Sequence, residues 1–221
     1  MSPPGQAPYA NTPEAGKDGR QRRPPQPQPF ALAIFSSHAG TTAQAVIDAL
    51  QSGRIAGRAV LLICNNPDAE VLERARAAGI DTAVLNGRTH PEPEELDAAI
   101  LAAVRGAGAT HILLAGYMKK LGPQTVAAFE GRVYNTHPAL LPAFGGRGMY
   151  GDRVHAAVLA SGATVSGASV HRVTNDYDAG EVVRQVEVPV LPGDDVASLG
   201  ERVRAAEREL LVEVLADASR A

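Results

Sequence analysis

From Phe30 onward, short apolar runs alternate along the chain with longer segments in which apolar residues recur every three or four positions. The apolar runs are FALAIFS, AVLLIC, TAVLN, HILLAG and RVYN, and the segments between them are TTAQAVIDALQ, AEVLERARAAG, PEELDAAILAAVRGAG and PQTVAAFEG. Continuous apolar runs predict strands covered on both faces, and the wider spacing predicts amphipathic helices. The chain is therefore predicted to be an α/β protein with a single doubly wound, mostly parallel sheet and helices on both faces.

The last third of the chain departs from this alternation. A helix is predicted over about 152–161, followed by two strand-like runs, TVSGASVHRVT and EVVRQVEVPVL, which the short turn NDYDAG joins. A turn of this length predicts a hairpin or neighbouring strands added to the sheet. A long C-terminal helix is predicted over about 195–216.

Residues 1–29 differ in composition from the rest of the chain. They are rich in Pro, Gln, Gly and Arg and contain almost nothing to bury, so the entropy lost on ordering them would go uncompensated. We expect a disordered tail over 1–29 and one domain over 30–221. The tail arginines are interpreted as solvated, with a weak docking patch as the alternative.

Composition narrows the classes of function. The 221 residues are 45% hydrophobic, enough for one substantial core, and the formal net charge of −3 gives no general attraction to nucleic acid or anionic membrane. Neither a membrane-span-length apolar stretch nor a signal-peptide core is present, and the single cysteine, Cys64, lies in an apolar run. We expect a cytoplasmic protein that binds small molecules, without nucleic-acid or membrane partners. The sequence leaves monomer and homodimer open.

The first candidate site is SSHAGTT, residues 36–42, at the predicted carboxyl end of the first strand, where ligands bind in open parallel sheets. Gly40 allows close backbone approach, and the amides of Thr41 and Thr42 at the helix start predict a phosphate site. The segment matches neither the dinucleotide-binding pattern nor the P-loop, and an ordinary helix N-cap explains it equally well.

Two further segments carry candidate catalytic groups. Asn135 and His137 are two positions apart at the end of RVYNTH, so strand alternation puts both side chains on one side. An uncharged amide suits a developing oxyanion and an imidazole exchanges protons near neutral pH, which together indicate acyl transfer. Asp178, in the turn NDYDAG, could fix the tautomer of His137 and raise its pKa. The alternatives are a structural polar loop for the first pair and plain turn residues for Asp176 and Asp178.

The blocks NTHPALLP (135–142) and VHRVTNDYDAGEVVRQ (170–185), with LLAGYMKKL (113–121), resemble the signature of the formyltransferases that use 10-formyltetrahydrofolate. The resemblance runs from about residue 30 to 215. It is closest to the branch that acts on glycinamide ribonucleotide, because Arg204 and Glu207 stand where that branch has a basic or polar residue and a glutamate. It implies transfer of the formyl group from 10-formyltetrahydrofolate, as co-substrate, to the amine of glycinamide ribonucleotide in purine biosynthesis. The chemistry needs no metal, and the six histidines show no metal-ligand spacing.

The resemblance also implies roles for single residues. Asn135 would bind the formyl oxygen, His137 would act as the acid/base, and Asp178 would raise the pKa of His137 and order a water beside it. The ribonucleotide would be bound by Gly40, Thr41, Thr42, Arg204 and Glu207. The folate would be bound by Asn135, Met118, Lys119, Lys120, Leu121, Thr174, Asn175, Asp176, Tyr177 and Asp178. The glycine-rich segment GGRGMYG would be a mobile loop over the reacting centre.

The chain departs from the family pattern at three places. The usual Gly–Asn–Gly–Ser–Asn phosphate loop reads HAGTT at 38–42, and the common Met–Arg–Ile–Leu reads MKKL at 118–121. An arginine that often holds the folate tail has no equivalent before the third helix, and Arg88 is the nearest candidate. Two alternatives stay open: a hydrolase that passes the formyl group to water, and a folate- or nucleotide-binding module without turnover, which the altered phosphate loop favours.

Overall fold

A computed structural model describes residues 29–221, so the predicted tail, apart from Pro29, lies outside the described residues. Within these residues seven strands form one sheet in the order β3-β2-β1-β4-β5-β6-β7. The strands are β1 (Phe30–Ser36), β2 (Gly57–Cys64), β3 (Thr82–Val84), β4 (His111–Leu114), β5 (Val133–His137), β6 (Val165–Arg172) and β7 (Val182–Pro189). The first five are parallel, whereas β6 runs antiparallel to both β5 and β7. The predicted mostly parallel sheet with added C-terminal strands is confirmed.

In the part of the chain that the structure describes, six helices cover the two faces of this sheet. They are α1 (Thr41–Gln51), α2 (Glu70–Ala77), α3 (Pro93–Gly106), α4 (Pro123–Ala128), α5 (Asp152–Ala160) and α6 (Val196–Ala218). One buried cluster contains apolar residues of α1, α2, α5 and α6, and a second contains those of α3 and α4. Helices therefore pack on both faces, as the doubly wound pattern predicts, and the long C-terminal helix is present.

The ends of the helices follow local chemistry. Both α3 and α4 begin with proline, which lacks the N–H that the first turn leaves without a partner in any case. Asp195 caps α6, because its carboxylate accepts from the backbone N–H of Ser198 at 2.8 Å while the Ser198 hydroxyl accepts from the Asp195 N–H. Sequence alone thus sets where these helices start.

The direction of winding reverses between β1 and β4, which are neighbours in the sheet. At such a point the loops that leave the two strands diverge and open a crevice at their carboxyl ends. Ser37 links the loops across this crevice: its N–H donates to the carbonyl of Gly116 at 3.2 Å, and its hydroxyl accepts from the N–H of Met118 at 2.8 Å. The hydroxyl also donates to Asn65 Oδ1, at 2.5 Å, in the loop after β2. The crevice is therefore fixed at the edge where the predicted site segments begin.

Candidate active site

The pairing of β5 with β6 positions the Asn135 side chain. The antiparallel register places Asn135 opposite His171 and His137 opposite Ser169, and side chains of directly opposed residues lie on the same face. Asn135 Nδ2 lies 3.0 Å from His171 Nε2, and His171 Nδ1 lies 3.0 Å from the carbonyl oxygen of Arg172. Since that carbonyl can only accept, Nδ1 carries the proton and Nε2 accepts from the Asn135 amide. His171 therefore fixes the orientation of the amide.

His137 is buried at the end of β5, with both ring nitrogens near protein oxygens. Nε2 lies 2.8 Å from the carbonyl oxygen of Phe144 and so donates to it, and Nδ1 lies 3.6 Å from Asp178 Oδ2. Burial lowers the pKa of His137, and this effect outweighs the charge of Asp178, which raises it. Asp178 thus acts in the predicted direction, but the net pKa lies below the ordinary value. The imidazole is neutral at neutral pH.

Asp178 is both a turn residue and a partner of the histidines. Its φ of 53° is in the left-handed region, which aspartate tolerates better than most residues. Its carboxylate accepts from the N–H of Gly146 at 2.8 Å and lies 3.5 Å from His171 Nε2. Burial raises the pKa of Asp178, but the nearby His171, the hydrogen bond from the Gly146 N–H and the nearby His137 lower it more, so the net pKa falls. The group is a carboxylate at neutral pH.

The glycine-rich segment GGRGMYG and the residue before it touch these groups through their backbone. Phe144 accepts from His137 with its carbonyl, and Gly146 donates to Asp178 with its N–H. A Cβ at Gly145 would lie 2.6 Å from Leu141 Cδ2, so a side chain there would require either Leu141 or the loop to shift. The segment thus lies against the candidate catalytic groups, and its mobility stays a prediction.

The predicted phosphate segment forms the start of α1. Gly40 is the N-cap residue, with φ of 72° and no side-chain cap, and a Cβ there would lie 2.2 Å from Val71 Cγ2. Thr41 and Thr42 are the first two helical residues, and neither is buried. The segment is therefore the N-cap of α1, as the alternative expects, and the amides at this end have no side-chain acceptor from the cap. The phosphate site stays a prediction.

The other two predicted ribonucleotide residues lie on α6. Arg204 is partly exposed, and its Nη1 lies 3.7 Å from Asp152 Oδ1 at the start of α5. Glu207 is 8% exposed, and burial raises its pKa although the nearby side chain of Thr136 lowers it. Thr136 points to the opposite face of β5 from the two candidate catalytic side chains. Glu207 therefore approaches the end of β5 from the α6 side of the sheet.

Two adjoining cavities lie on the side of β5 that carries the Asn135 side chain, opposite the side that Glu207 approaches. A cavity of about 90 Å³ is lined by Leu114, Tyr117, Lys119, Lys120, Leu121, Asn135, His171, Val173, Thr174, Asp176, Tyr177 and Asp178. A neighbouring cavity of about 520 Å³ shares Tyr117, Lys119, Lys120 and Leu121 with it and includes Asn175. Lys120 Nζ lies 5.4 Å from the centre of the Tyr177 ring, a cation–π contact between the two loops. Every predicted folate residue except Met118, which is 42% exposed, lines one of these cavities.

Comparison with known proteins shows the family of this chain. The formyl transferase family model matches residues 31–215. The chain belongs to the formyl transferase family. Phosphoribosylglycinamide formyltransferase from Mycobacterium tuberculosis is 37% identical over 194 residues, which cover 88% of this chain and 87% of that protein. The crystal structure of glycinamide ribonucleotide transformylase 1 from Symbiobacterium toebii has a TM-score of 0.82 at 35% identity and covers 88% of this chain and 90% of that one.

A longer relative is similar in sequence to this chain over only part of its own length. The chloroplastic phosphoribosylglycinamide formyltransferase from Arabidopsis thaliana is 38% identical over 191 residues, or 86% of this formyl transferase chain. The aligned part is 65% of the plant protein. This formyl transferase chain therefore spans just under two thirds of the length of that relative.

Sequence reasoning missed several groups of this formyl transferase that contact the predicted catalytic residues. His171 and the backbones of Phe144 and Gly146 all touch the predicted trio. His171 lies within the block 170–185 that carries the family resemblance, and strand alternation assigns its side chain to one face of β6. Only the register of β6 against β5 shows that this side chain meets Asn135. Within residues 29–221 no helix has the length and apolar character to cross a membrane, and no three His, Cys, Asp or Glu side chains are grouped as metal ligands would be.

Gly40→Ala is expected to destabilise this formyl transferase by about 1–3 kcal/mol, because left-handed backbone strain adds to the overlap with Val71. Urea unfolding measures the loss. Gly53→Ala is the matched control, since Gly53 has a similar φ of 75° with nothing within 4 Å of its Cβ position. Equal losses in the two variants would show that Val71 moves aside at no cost.

Proposed function

We propose that this formyl transferase transfers the formyl group of 10-formyltetrahydrofolate to the amine of glycinamide ribonucleotide, a step of purine biosynthesis. The observation that carries the proposal is the convergence of Asn135, His137 and Asp178 at one edge of the sheet. They lie between the two cavities and the α6 side of the site. The amine attacks the formyl carbon directly, so the proposal includes no covalent enzyme intermediate and no metal.

The Asn135 amide has a donor to spare for this reaction. A side-chain amide has two N–H groups, and one of them donates to His171. The second donates to the formyl oxygen, and this bond strengthens as negative charge develops there during attack. Because His171 already holds the amide in place, little reorganisation is needed when that charge appears.

His137 takes up the proton that the attacking amine loses. Nε2 already donates to the Phe144 carbonyl, so Nδ1, which faces Asp178, is the atom that accepts the proton. Proton uptake there turns the contact with Asp178 into an ion pair. The buried imidazole is neutral before the reaction, and so it is in the form that a base requires. The proton reaches Nδ1 through a water that the carboxylate orders. The imidazolium then returns a proton to the folate nitrogen as the bond between that nitrogen and the formyl carbon breaks, which releases tetrahydrofolate and the formylated amine.

The two substrates approach from opposite sides of β5. The α1 and α6 side carries Gly40, Arg204 and Glu207 for the ribonucleotide. The two cavities fit a planar heterocycle with a polar tail, because the smaller has an apolar wall from Leu114, Leu121 and Val173, and the larger opens beyond Lys119 and Lys120. The folate co-substrate supplies the activated formyl carbon there.

Product analysis with both substrates tests the proposal. Formylated ribonucleotide should form only when the ribonucleotide and the formyl donor are both present. Formate released at the same rate without the ribonucleotide would favour the hydrolase instead. Binding of either compound with no product at all would favour a module without turnover and overturn the proposal.

Asn135→Ala is expected to lower kcat about 10²–10³-fold, the usual effect of removing one oxyanion donor. Steady-state kinetics with each substrate varied in turn measure it, with the melting temperature as the folding control. His171→Gln is the companion variant, since a side-chain oxygen can still accept from the Asn135 amide, and it should lose less activity. A change confined to KM would make Asn135 a binding residue rather than an oxyanion donor.

A further inference from the structure

Three side chains form a row across the last three strands of the sheet. The strand registers place Gln185 of β7 opposite Ser169 of β6, and Ser169 opposite His137 of β5. Side chains of directly opposed residues lie on the same face, so the row leads from the edge of the sheet to the imidazole. Ser169 is fully buried, whereas Gln185 is exposed on the edge strand. The proposed reaction gives a role only to His137.

The Ser169 hydroxyl has its full set of hydrogen-bond partners. Its Oγ donates to the carbonyl of Ala139 at 2.6 Å. The same oxygen accepts from the N–H of Leu141 at 3.0 Å and from Gln185 Nε2 at 2.8 Å. A hydroxyl offers one donor and two acceptor sites, so all of them are used. Gln185 Nε2 also donates to the carbonyl of Leu141, at 2.9 Å. The two side chains together therefore hold the backbone of Ala139 and Leu141.

The backbone that they hold leads to a contact with His137. After Leu141 the chain makes a turn, and the carbonyl of Phe144 accepts from His137 Nε2 at 2.8 Å. The same segment packs closely on β6, because a Cβ on Gly167 would lie 2.6 Å from Leu140 Cδ2. The position of the Phe144 carbonyl therefore depends on how residues 139–141 are fixed to the sheet.

The Phe144 carbonyl determines which nitrogen of His137 carries the proton. A carbonyl can only accept, so the single proton of the neutral ring resides on Nε2, and Nδ1 is left to act as the base. Nδ1 lies 3.6 Å from Asp178 Oδ2, an acceptor that would favour the proton on Nδ1 instead. The carbonyl and the carboxylate thus compete for one proton. If Phe144 moved away, the proton would shift toward the carboxylate and Nδ1 could no longer act as the base.

We propose that Ser169 and Gln185 are positioning residues that keep His137 in the tautomer the reaction needs, by fixing the segment that ends in the Phe144 carbonyl. The use of this tautomer in catalysis rests on the proposed function. Within the described part of the chain, neither Ser169 nor Gln185 lines the two cavities beside Asn135. Loss of either side chain should therefore lower kcat and leave the KM of each substrate unchanged.

The test uses two substitutions, each with a matched control in the same strand. Ser169→Ala removes the hydroxyl at the centre of the network. Its control is Ser166→Ala, because Ser166 is also buried in β6 and its Oγ has no hydrogen-bond partner within residues 29–221. Gln185→Ala removes the outer amide, and its control is Glu187→Ala, two positions further along β7 and also exposed.

Two properties are measured in every variant. Nitrogen-15 NMR of the imidazoles shows which ring nitrogen carries the proton, and the His137 signals are identified by their absence from His137→Ala. Steady-state kinetics with each substrate varied in turn give kcat and KM, and melting temperatures report folding. The NMR measurement needs no substrate, so it tests the tautomer independently of the proposed function.

The wild type and both controls should carry the His137 proton on Nε2. Ser169→Ala should move a measurable fraction of it to Nδ1 and lower kcat about 10- to 100-fold, since a small misplacement of a catalytic group can cost that much. Gln185→Ala should act in the same direction, with kcat about 3- to 10-fold lower, the effect of one lost hydrogen bond.

A proton retained on Nε2 in both test variants would overturn the inference, whatever their kcat or melting temperature, and so would a shifted proton with wild-type kcat. If Ser169→Ala does not fold, Gln185→Ala decides the question, because its side chain is exposed. If the proton shifts as expected but the wild type forms no formylated product, the inference stands and the proposed function fails.

Discussion

His137→Ala is expected to lower kcat about 10²–10⁴-fold while the protein stays folded and still binds the ribonucleotide, because a general acid/base group typically contributes that much. The buried imidazole has its Nε2 fixed by the Phe144 carbonyl, and only Nδ1 is placed to take up a proton beside a carboxylate. Removing the ring leaves Asn135 to polarise the formyl group but leaves no group to accept the proton. Steady-state kinetics and calorimetric binding of the ribonucleotide measure the two parts of this expectation.

The matched control is His90→Ala, in the loop between β3 and α3, whose imidazole contacts the Thr89 hydroxyl. It should keep wild-type turnover. A His137→Ala protein with nearly wild-type activity would remove His137 from the mechanism. A loss of ribonucleotide affinity that accounts for all of the lost activity would make it a binding residue instead.

Asp178→Asn is expected to cause a loss of turnover of the same order, about 10²–10⁴-fold, and also to move the pH profile. The charge of Asp178 raises the pKa of His137 against the larger lowering effect of burial. Without that charge the lowering effect of burial is opposed less, so the pKa of His137 falls further. A base must be neutral to act, so the limb of the kcat profile on which activity rises with pH should shift to lower pH. Kinetics over a pH series measure both effects.

Asparagine tolerates the left-handed backbone of position 178 as well as aspartate does, so the turn itself should survive the change. Ribonucleotide affinity should stay within a few-fold, because Gly40, Arg204 and Glu207 are unaltered. Asp68→Asn, an exposed turn residue after β2, is the matched control and should leave rate and profile unchanged. An Asp178→Asn protein with a wild-type rate and an unmoved profile would return Asp178 to the role of a turn residue.

Much of the fold could be predicted because its signals are local. The apolar runs and the three-to-four spacing predict five strands and the helices between them, and the structure confirms the parallel sheet with helices on both faces. Strand alternation alone predicts that Asn135 and His137 share a face. The turn after β6 was also predicted, and with it the position of Asp178 at a strand end. Each of these conclusions depends on residues that are close together in the chain.

The remaining parts of the site depend on residues that are far apart in the chain. His171 is 36 residues from Asn135, and only the register of β6 against β5 brings the two side chains within 3.0 Å. The net pKa of His137 is set by burial under elements from several parts of the chain, an effect larger than the charge that the sequence pointed to. The contact of His155 with Gly200 is likewise set by the packing of α5 against α6.

The sequence by itself determined which elements form and which side chains stand at the strand ends, because propensity and periodicity are local. Only the tertiary structure decided which of those side chains meet and how far each is removed from water, because register, helix crossing and desolvation are fixed by packing between distant segments.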